Sequence, residues 1–413
     1  MEQESPSILE PARRARIGRL PFTFSLAERD RRYARVRSMM AQRGFDAIIA
    51  PCNTGHNEAF QADVRYLTQI GGFANEACVF FPARGEPTAW VRADSQPPEW
   101  WRDMQGWVAD VRGSDCTWSD NFIASIREHS LEGGTIGVVG IGGTPRSPDG
   151  MILYVTMQRL REAFPNARFE SATESMVEVR LIKSAEEIAA LERATEIAEE
   201  SVLQMAAAAR PGVSEHVAYA EIVAHMVRSG AELPTLVLWG AGVSPVRMSR
   251  VPPVRPLQRG DVIITETEVR YAGYIAQVRR PVFIGPPSDE YARLHALAVD
   301  CFDRMFESIR PGVTYGEAVK RYVDLVNGRG YKAQAVPLHG RGLGEDLPVL
   351  HMSRPDAPVM QTAIQAGQVF ILGPRFQTLD GSKILAWGDT IVVTEDGARR
   401  LGKRDSAPII AGE

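Results

Sequence analysis

The chain has 413 residues, 44% of them hydrophobic, which is enough for two globular domains. Its 47 basic and 51 acidic residues give a net charge of −4, so no broad positive field favours nucleic acid or an anionic membrane as a partner. No apolar run approaches the roughly 20 residues of a membrane span. Four scattered cysteines, with no CxxC pair and no secretory leader, are typical of a cytoplasmic protein with reduced thiols.

The first 23 residues predict an N-terminal arm with a basic cluster, EPARRARIGR. We expect a mobile or subunit-clasping segment, and contact with an acidic partner is the alternative. Residues 24–172 then alternate between helical and strand patterns. Helices are predicted at Ala27–Phe45, ending near Gly44, and at Ile152–Phe164; strands are predicted in DAIIAP, ACVFFP, PTAWVRA and GTIGVVG. This alternation predicts an α/β domain.

Residues 173–413 contain an internal repeat. A long helix opens on Ser184 with Glu187 three residues on, which is a capping box. RPGVSEHVAYAEIVAHMVRSGAE begins at Arg210, and RPGVTYGEAVKRYVDLVNGRGYK begins at Arg310. Both predict a helix end, a Ser or Thr cap, a second helix and a glycine turn. The duplication indicates two pseudo-symmetric halves whose sheets meet at a cleft, which is where sites tend to lie.

The stretch GDVIITETEVRYAGYIAQVRRPVFIG, residues 260–285, predicts a two-stranded hairpin at that junction. Its first strand carries Glu266 and Glu268 on one face, roughly 6.6 to 7 Å apart. Two such carboxylates in a partly dry cleft would repel each other and raise the pKa of one of them. A solvated acidic face is the alternative.

Several motifs together resemble the pita-bread family of methionine aminopeptidases, prolidases, aminopeptidase P and creatinase. They are the duplicated RPGV-Ser/Thr units, the GD strand, HGRGLG and WGDTIVVTEDG, within residues 172–400. DVRYLTQIGGF resembles the creatinase/prolidase N-terminal domain more loosely. The resemblance implies an α/β N-terminal domain, an α+β pita-bread C-terminal domain with an internal pseudo-two-fold repeat, and a homodimer.

Metallopeptidases of this family hold two divalent ions with two aspartates, a histidine and two glutamates. Carried over by motif, these positions are Glu266, Gln277, His339, Gly373 and Gly388. Only two of them keep a side chain suited to ligation, so we expect no metal cofactor. A rearranged mononuclear site using Glu268, Asp346 or His351 is the alternative.

Creatinase offers a metal-free precedent on this fold, yet its catalytic histidine falls at Ser249 or Arg250 here. The second peptidase histidine is replaced as well, by Asp346. The predicted function is therefore a metal-independent, creatinase-like hydrolase that cleaves a C–N bond of a small amide, amidine or related compound. Three alternatives stay open: an Xaa-Pro-type metallopeptidase with an altered metal site, a lyase on the same scaffold, and a non-catalytic binding protein.

The predicted catalytic groups are Glu266 as general base or nucleophile, His339 as acid, and Glu268 to orient a cationic substrate group. Arg375 is expected to bind a carboxylate, with pairing to Glu266 as the alternative. The remaining substrate-binding candidates are Gln277, Asp346, His351, Arg65 and His56. By the resemblance, the segment around His56 and Arg65 is expected to reach a neighbouring subunit's cleft, and an ordinary loop is the alternative.

Overall fold

The computed structural model describes residues 22–52, 61–72, 75–94, 96–144, 147–234, 236–245, 248–344 and 346–412. The chain divides into two compact units, Met1–Met176 and Val177–Glu413. The boundary predicted from sequence, after residue 172, lies four residues earlier. The N-terminal arm falls almost entirely outside the described residues.

The first unit is built on one mixed sheet. Its strands are β1 (Ala47–Ala50), β2 (Ala77–Pro82), β3 (Thr88–Arg92), β4 (Asp110–Ser114), β5 (Thr135–Val138) and β6 (Arg168–Ser171). Their order is β4-β3-β2-β1-β5-β6, with β1–β2 and β2–β3 antiparallel and the other pairs parallel. All four predicted strands of this unit are present.

Helices pack beside this sheet, and apolar side chains such as Trp118 and Phe122 join the strand residues in the hydrophobic core. Those assigned to the first unit are Leu26–Arg43, Ala62–Thr68, Pro98–Gln105, Trp118–Glu128 and Tyr154–Ala163. The first begins at the N-cap Ser25, whose side chain accepts a hydrogen bond from Glu28, and it ends at Gly44 with φ 72°. A left-handed C-cap of this kind favours glycine, so the predicted helix end is confirmed.

The second unit contains two helix pairs at the duplicated segments. Ala185–Ala208 leads through a turn into Glu215–Arg228, and Asp289–Ser308 leads through a turn into Tyr315–Gly328. The capping box of Ser184 and Glu187 is present, as predicted. The two segments thus form the same local unit, while a pseudo-two-fold relation between larger halves stays a prediction.

Residues 260–285, predicted as a two-stranded hairpin, form three strands. β8 (Val262–Tyr271) turns back into β9 (Tyr274–Val278) through Ala272 and Gly273, which have φ 51° and 83°. Two consecutive positive φ angles are typical of the tight hairpin turn. The chain then continues into β10 (Val282–Ile284), which pairs with the start of β8. The stretch therefore forms three strands, because Arg279–Pro281 separate β9 from β10.

The strands of the second unit form three sheets, one of which contains β8, β9 and β10. The remaining strands are β7 (Val237–Gly242), β11 (Lys332–Ala333), β12 (Leu338–Gly340), β13 (Val369–Leu372), β14 (Arg375–Gln377), β15 (Ile384–Ala386), β16 (Asp389–Val393), β17 (Ala398–Arg400) and β18 (Ile409–Ala411). One sheet has the order β18-β10-β8-β7 with β9 on β8; the others are β11-β14-β15 and β12-β13-β16-β17. The β9 end of the first meets β16 through an antiparallel bridge between Arg279 and Gly388.

Each unit has its own hydrophobic core. That of the first unit includes Cys78, Phe80 and Phe122, all fully buried. That of the second packs Cys301 and Phe302 with strand residues such as Phe370. Within the described part of the chain, no helix is both long and apolar enough to cross a membrane.

The two copies of the repeat provide a matched test of helix capping. Thr314 accepts a hydrogen bond from the Glu317 amide, whereas Ser214, at the same place in the other copy, makes no such cap. We expect Thr314→Ala to lower the free energy of unfolding by about 1 kcal/mol, because an N-cap oxygen satisfies an otherwise unpaired helix amide. Ser214→Ala should cost clearly less in urea denaturation, and equal losses would contradict the assignment of the caps.

Candidate functional site

Glu266 of β8 faces an arginine across the hairpin. The β8–β9 register pairs Glu268 with Gln277, so the next positions on that face are Glu266 and Arg279. The Nη2 atom of Arg279 lies 3.0 Å from Oε1 of Glu266, and their side chains are only 6% and 13% exposed. Because little water screens such a pair, it is a strong local constraint on the carboxylate.

A second guanidinium group approaches the same carboxylate. Nη1 of Arg375 lies 3.9 Å from Oε1 of Glu266, which is the Arg375–Glu266 pairing considered from the sequence. Its Nε is buried and has no hydrogen-bond partner among the residues that the structure describes. Burial lowers the pKa of Arg375, and Arg279 acts in the same direction. One carboxylate thus faces two cations.

Glu268, two residues along β8, has an arginine of its own. Arg341 donates a hydrogen bond from Nη2 to Oε1 of Glu268, and both side chains are buried. The repulsion expected between Glu266 and Glu268 is therefore replaced by separate ion pairs. The role predicted for Glu268, contact with a cationic substrate group, stays a prediction.

His339, Gln277 and Glu268 lie in one row of cross-strand neighbours that runs from sheet to sheet. His339 is paired with Ile371 of β13, which is paired with Thr390 of β16. The Thr390 hydroxyl donates to the backbone carbonyl oxygen of Gln277 at 2.9 Å and accepts from the backbone N–H of Gln277 at 3.0 Å. The neighbouring row on the same face, two residues along, contains Gly373, Gly388, Arg279 and Glu266.

The two glycines of that neighbouring row leave no room for side chains. A Cβ on Gly373 would lie 2.9 Å from Nη1 and 3.1 Å from Cδ of Arg279. A Cβ on Gly388 would lie 2.5 Å from Cα of Gly373 and 2.6 Å from the carbonyl oxygen of Leu372. Neither glycine has a positive φ, so space rather than backbone conformation demands glycine here.

These residues do not fit the two divalent ions that the sequence resemblance implies. Two ligand positions are glycines without space for a carboxylate, and Arg279 lies against one of them. In the ranges that the structure describes, no group of three or more His, Cys, Asp or Glu side chains could hold a metal ion. The residues of the alternative mononuclear site do not fit a metal ion either. Glu268 is paired with Arg341, and Asp346 is paired with Lys183.

Asp346 is fully buried in an ion cluster. Its Oδ2 accepts from Lys183 at 2.6 Å, and Nε of Arg180 lies 3.6 Å from its Oδ1. His351, in contrast, is exposed. The substrate-binding roles predicted for both residues stay predictions, and for Asp346 the contacts indicate a structural role first.

Arg65 lies on the helix Ala62–Thr68 of the first unit and is buried, at 8% exposure. Its side chain fills the space that a Cβ on Gly71 would need, with Cγ at 2.8 Å. His56 lies outside the described residues. The predicted reach of this segment to a neighbouring subunit stays a prediction.

The structure adds two residues that sequence reasoning missed, Arg279 and Arg341. A signal for Arg279 was present, because counting back through the hairpin from the Ala272–Gly273 turn places it opposite Glu266. Arg341 had no such signal, since its contact with Glu268 joins two sheets that are distant in sequence. Ser249, at the creatinase histidine position, is exposed and is bridged through its backbone to Trp239 of β7.

Comparison with known proteins assigns the family. Residues 189–395 match the model of metallopeptidase family M24, which is half of the chain. A creatinase from Bacillus sp. strain B-0618 is 26% identical over 94% of this chain and 93% of its own. An Xaa-Pro dipeptidase from Pyrococcus furiosus is 24% identical over 62% of this chain and 73% of its own.

Solved structures give the fold. An X-Pro aminopeptidase from Thermotoga maritima superposes with a TM-score of 0.77 at 19% identity, over 92% of this chain and 99% of that one. At this identity the likeness shows the fold alone. The chain therefore belongs to metallopeptidase family M24, has the pita-bread fold of that family with mixed α and β content, and is a hydrolase acting on C–N bonds.

Proposed function

We propose that this protein hydrolyses a C–N bond of a small, carboxylate-bearing amide, amidine or related compound without a divalent metal ion. The observation that carries the proposal is the environment of Glu266: two guanidinium groups face it, and glycines occupy two positions where a dinuclear centre needs acidic ligands. Creatinase, a relative over nearly the whole chain, supports a small C–N substrate.

Arg375 is the group that we assign to the substrate carboxylate. Its side chain is 21% exposed, the most of the three cations at the site, against 6% for Arg279 and 7% for Arg341. At 3.9 Å its contact with Glu266 is longer than a hydrogen bond. A planar guanidinium group with an unused buried donor is well suited to bind a carboxylate.

Glu266 and His339 supply the proton transfers in this proposal. Both arginines make their closest approach to Oε1 of Glu266, so we assign Oε2 to accept a proton from the attacking water. The hydroxide adds to the carbon of the C–N bond, the bond breaks with its electron pair on nitrogen, and His339 gives that nitrogen a proton. The proton that Glu266 took from water then returns to His339, so both groups regain their starting forms. A covalent route with Glu266 as nucleophile uses the same groups and consumes one water in total.

An Xaa-Pro dipeptide is a second substrate candidate. Its C-terminal carboxylate satisfies the same arginine, and relatives named Xaa-Pro dipeptidase match more than half of this chain. For this substrate, the proposal is peptide hydrolysis at a site without the two metal ions that the family's peptidases use. The two substrate candidates differ in the nitrogen that leaves, which is the ring nitrogen of proline in an Xaa-Pro dipeptide.

The decisive experiment is a substrate screen on one purified sample whose metal content is measured. Zwitterionic amides, guanidino compounds and Xaa-Pro dipeptides are incubated with the protein before and after dialysis against EDTA. We expect hydrolysis of at least one class, unchanged by the chelator, and no stoichiometric zinc, manganese, cobalt or iron. Activity that is lost with EDTA and returns with one of these ions would overturn the proposal.

Replacing Glu266 tests its proton-transfer role. Glu266→Gln keeps the size of the side chain and removes its charge, so we expect kcat to fall by about 10²- to 10⁴-fold. Glu395→Gln, at an exposed position, is the control and should leave kcat unchanged. Wild-type turnover in Glu266→Gln would contradict the assignment, provided that circular dichroism shows a folded protein.

Replacing Arg375 tests carboxylate recognition. We expect Arg375→Met to raise KM for carboxylate substrates by about ten- to a hundredfold, because a charge-assisted hydrogen bond is lost. Amide-capped forms of the same substrates should show little change. An equal rise in KM for both forms would assign Arg375 a structural role instead.

A further inference from the structure

We propose that Arg279 is a resident cation that takes the electrostatic place of a metal in this cleft, holding Glu266 and excluding divalent ions, and that Gly373 is a glycine in order to admit it. This inference builds on the proposed metal-free hydrolysis and goes beyond it, since it names the cation responsible and the glycine position that its side chain requires.

The first step is the anchoring of Arg279 at several points. Besides its ion pair with Glu266, Nη1 donates to the carbonyl oxygen of Gly373 at 2.6 Å. Its backbone amide donates to Gly388 at 3.0 Å, and the Gly388 amide donates back to its carbonyl at 3.0 Å. A guanidinium group held from both ends has little freedom to leave the carboxylate.

The second step is steric. The side chain of Arg279 occupies the space next to Gly373. A Cβ atom on Gly373 would lie 2.9, 3.1 and 3.3 Å from Nη1, Cδ and Cζ of Arg279. The clash at Gly388 is of another kind, since it involves backbone atoms of Leu372 and Gly373. Arginine at 279 and glycine at 373 are thus complementary, whereas glycine at 388 is required by the approach of two strands.

The third step is electrostatic. Glu266 contributes one negative charge, while Arg279 and Arg375 contribute two positive charges within 3.0 and 3.9 Å of it. Glu268 adds no spare charge, because Arg341 neutralises it. The net positive field repels a divalent cation and favours a carboxylate, in a place where burial limits screening by salt.

The neighbouring residue fixes this arrangement from the other face. Arg280 donates to the carbonyl oxygen of Gly388, pairs with Glu199 at 2.9 Å and Asp389 at 3.1 Å, and stacks 4.3 Å from the ring of Trp387. Alternation along the chain sends Arg280 into this buried ion cluster and Arg279 towards Glu266. The two adjacent arginines therefore hold the segment between β9 and β10 through contacts on both of its faces.

A double-mutant cycle tests the steric part without using activity. We expect Gly373→Ala to lower Tm by roughly 2 to 10 °C in the wild-type background, because the added methyl group meets Arg279. In an Arg279→Ala background the same change should cost little. Gly388→Ala is the matched control, since its clash is with backbone and its cost should persist in both backgrounds. Equal costs of Gly373→Ala with and without Arg279 would overturn the complementarity.

Metal uptake tests the electrostatic part, with Co²⁺ alone as the probe and its visible absorption as the readout. Gln277→Asp with Gly373→Glu restores two of the ligand types that the family uses. With Arg279 retained we expect no Co²⁺ spectrum; with Arg279→Ala added we expect one bound Co²⁺. Equal Co²⁺ uptake by both variants, or stoichiometric uptake by the wild type, would overturn the inference.

The outcomes separate this inference from the proposed function. A protein that turns over none of the screened substrates, yet shows the non-additive cycle and the Arg279-dependent Co²⁺ uptake, overturns the proposed function alone. EDTA-resistant hydrolysis combined with an additive cycle overturns only the role of Arg279.

Discussion

The ion pair between Glu266 and Arg279 is the interaction on which the organisation of the site depends. It joins neighbouring strands of one hairpin, and the backbone of Arg279 ties that hairpin to β16 through Gly388. Two divalent ions would require carboxylates on both sides of this junction. Here one side contributes glycines, and a guanidinium group supplies the positive charge from within the chain.

Replacing metal ions by an arginine changes the chemistry that the scaffold can support. A bound ion polarises a carbonyl group and activates water, and it can occupy an open coordination position. A guanidinium group fixes charge and orientation but cannot lower the pKa of a bound water in the same way. Base and acid roles must then come from side chains such as Glu266 and His339, which is why we assign the proton transfers to them.

Much of the fold and part of the site could be predicted from sequence. Apolar periodicity and caps located the helix ending at Gly44 and the box at Ser184, since these depend on local interactions. The hairpin was predicted with one strand too few, because strand pairing of β10 with β8 is not encoded in its local pattern. The predicted repulsion between Glu266 and Glu268 did not include their partner arginines, because Arg279 and Arg341 lie outside the strand that carries the two acids.

The sequence by itself determined the family, the duplicated helix pairs and the loss of metal-ligating side chains at Gly373 and Gly388, because residue identity and spacing carry that information. Only the tertiary structure decided what replaces those ligands. The contact of Arg279 with Gly373 joins residues 94 positions apart, and that of Arg341 with Glu268 joins residues 73 apart. Whether a buried acid is a base, a ligand or half of an ion pair depends on such distant neighbours, since burial and Coulomb energy are set by what surrounds the charge.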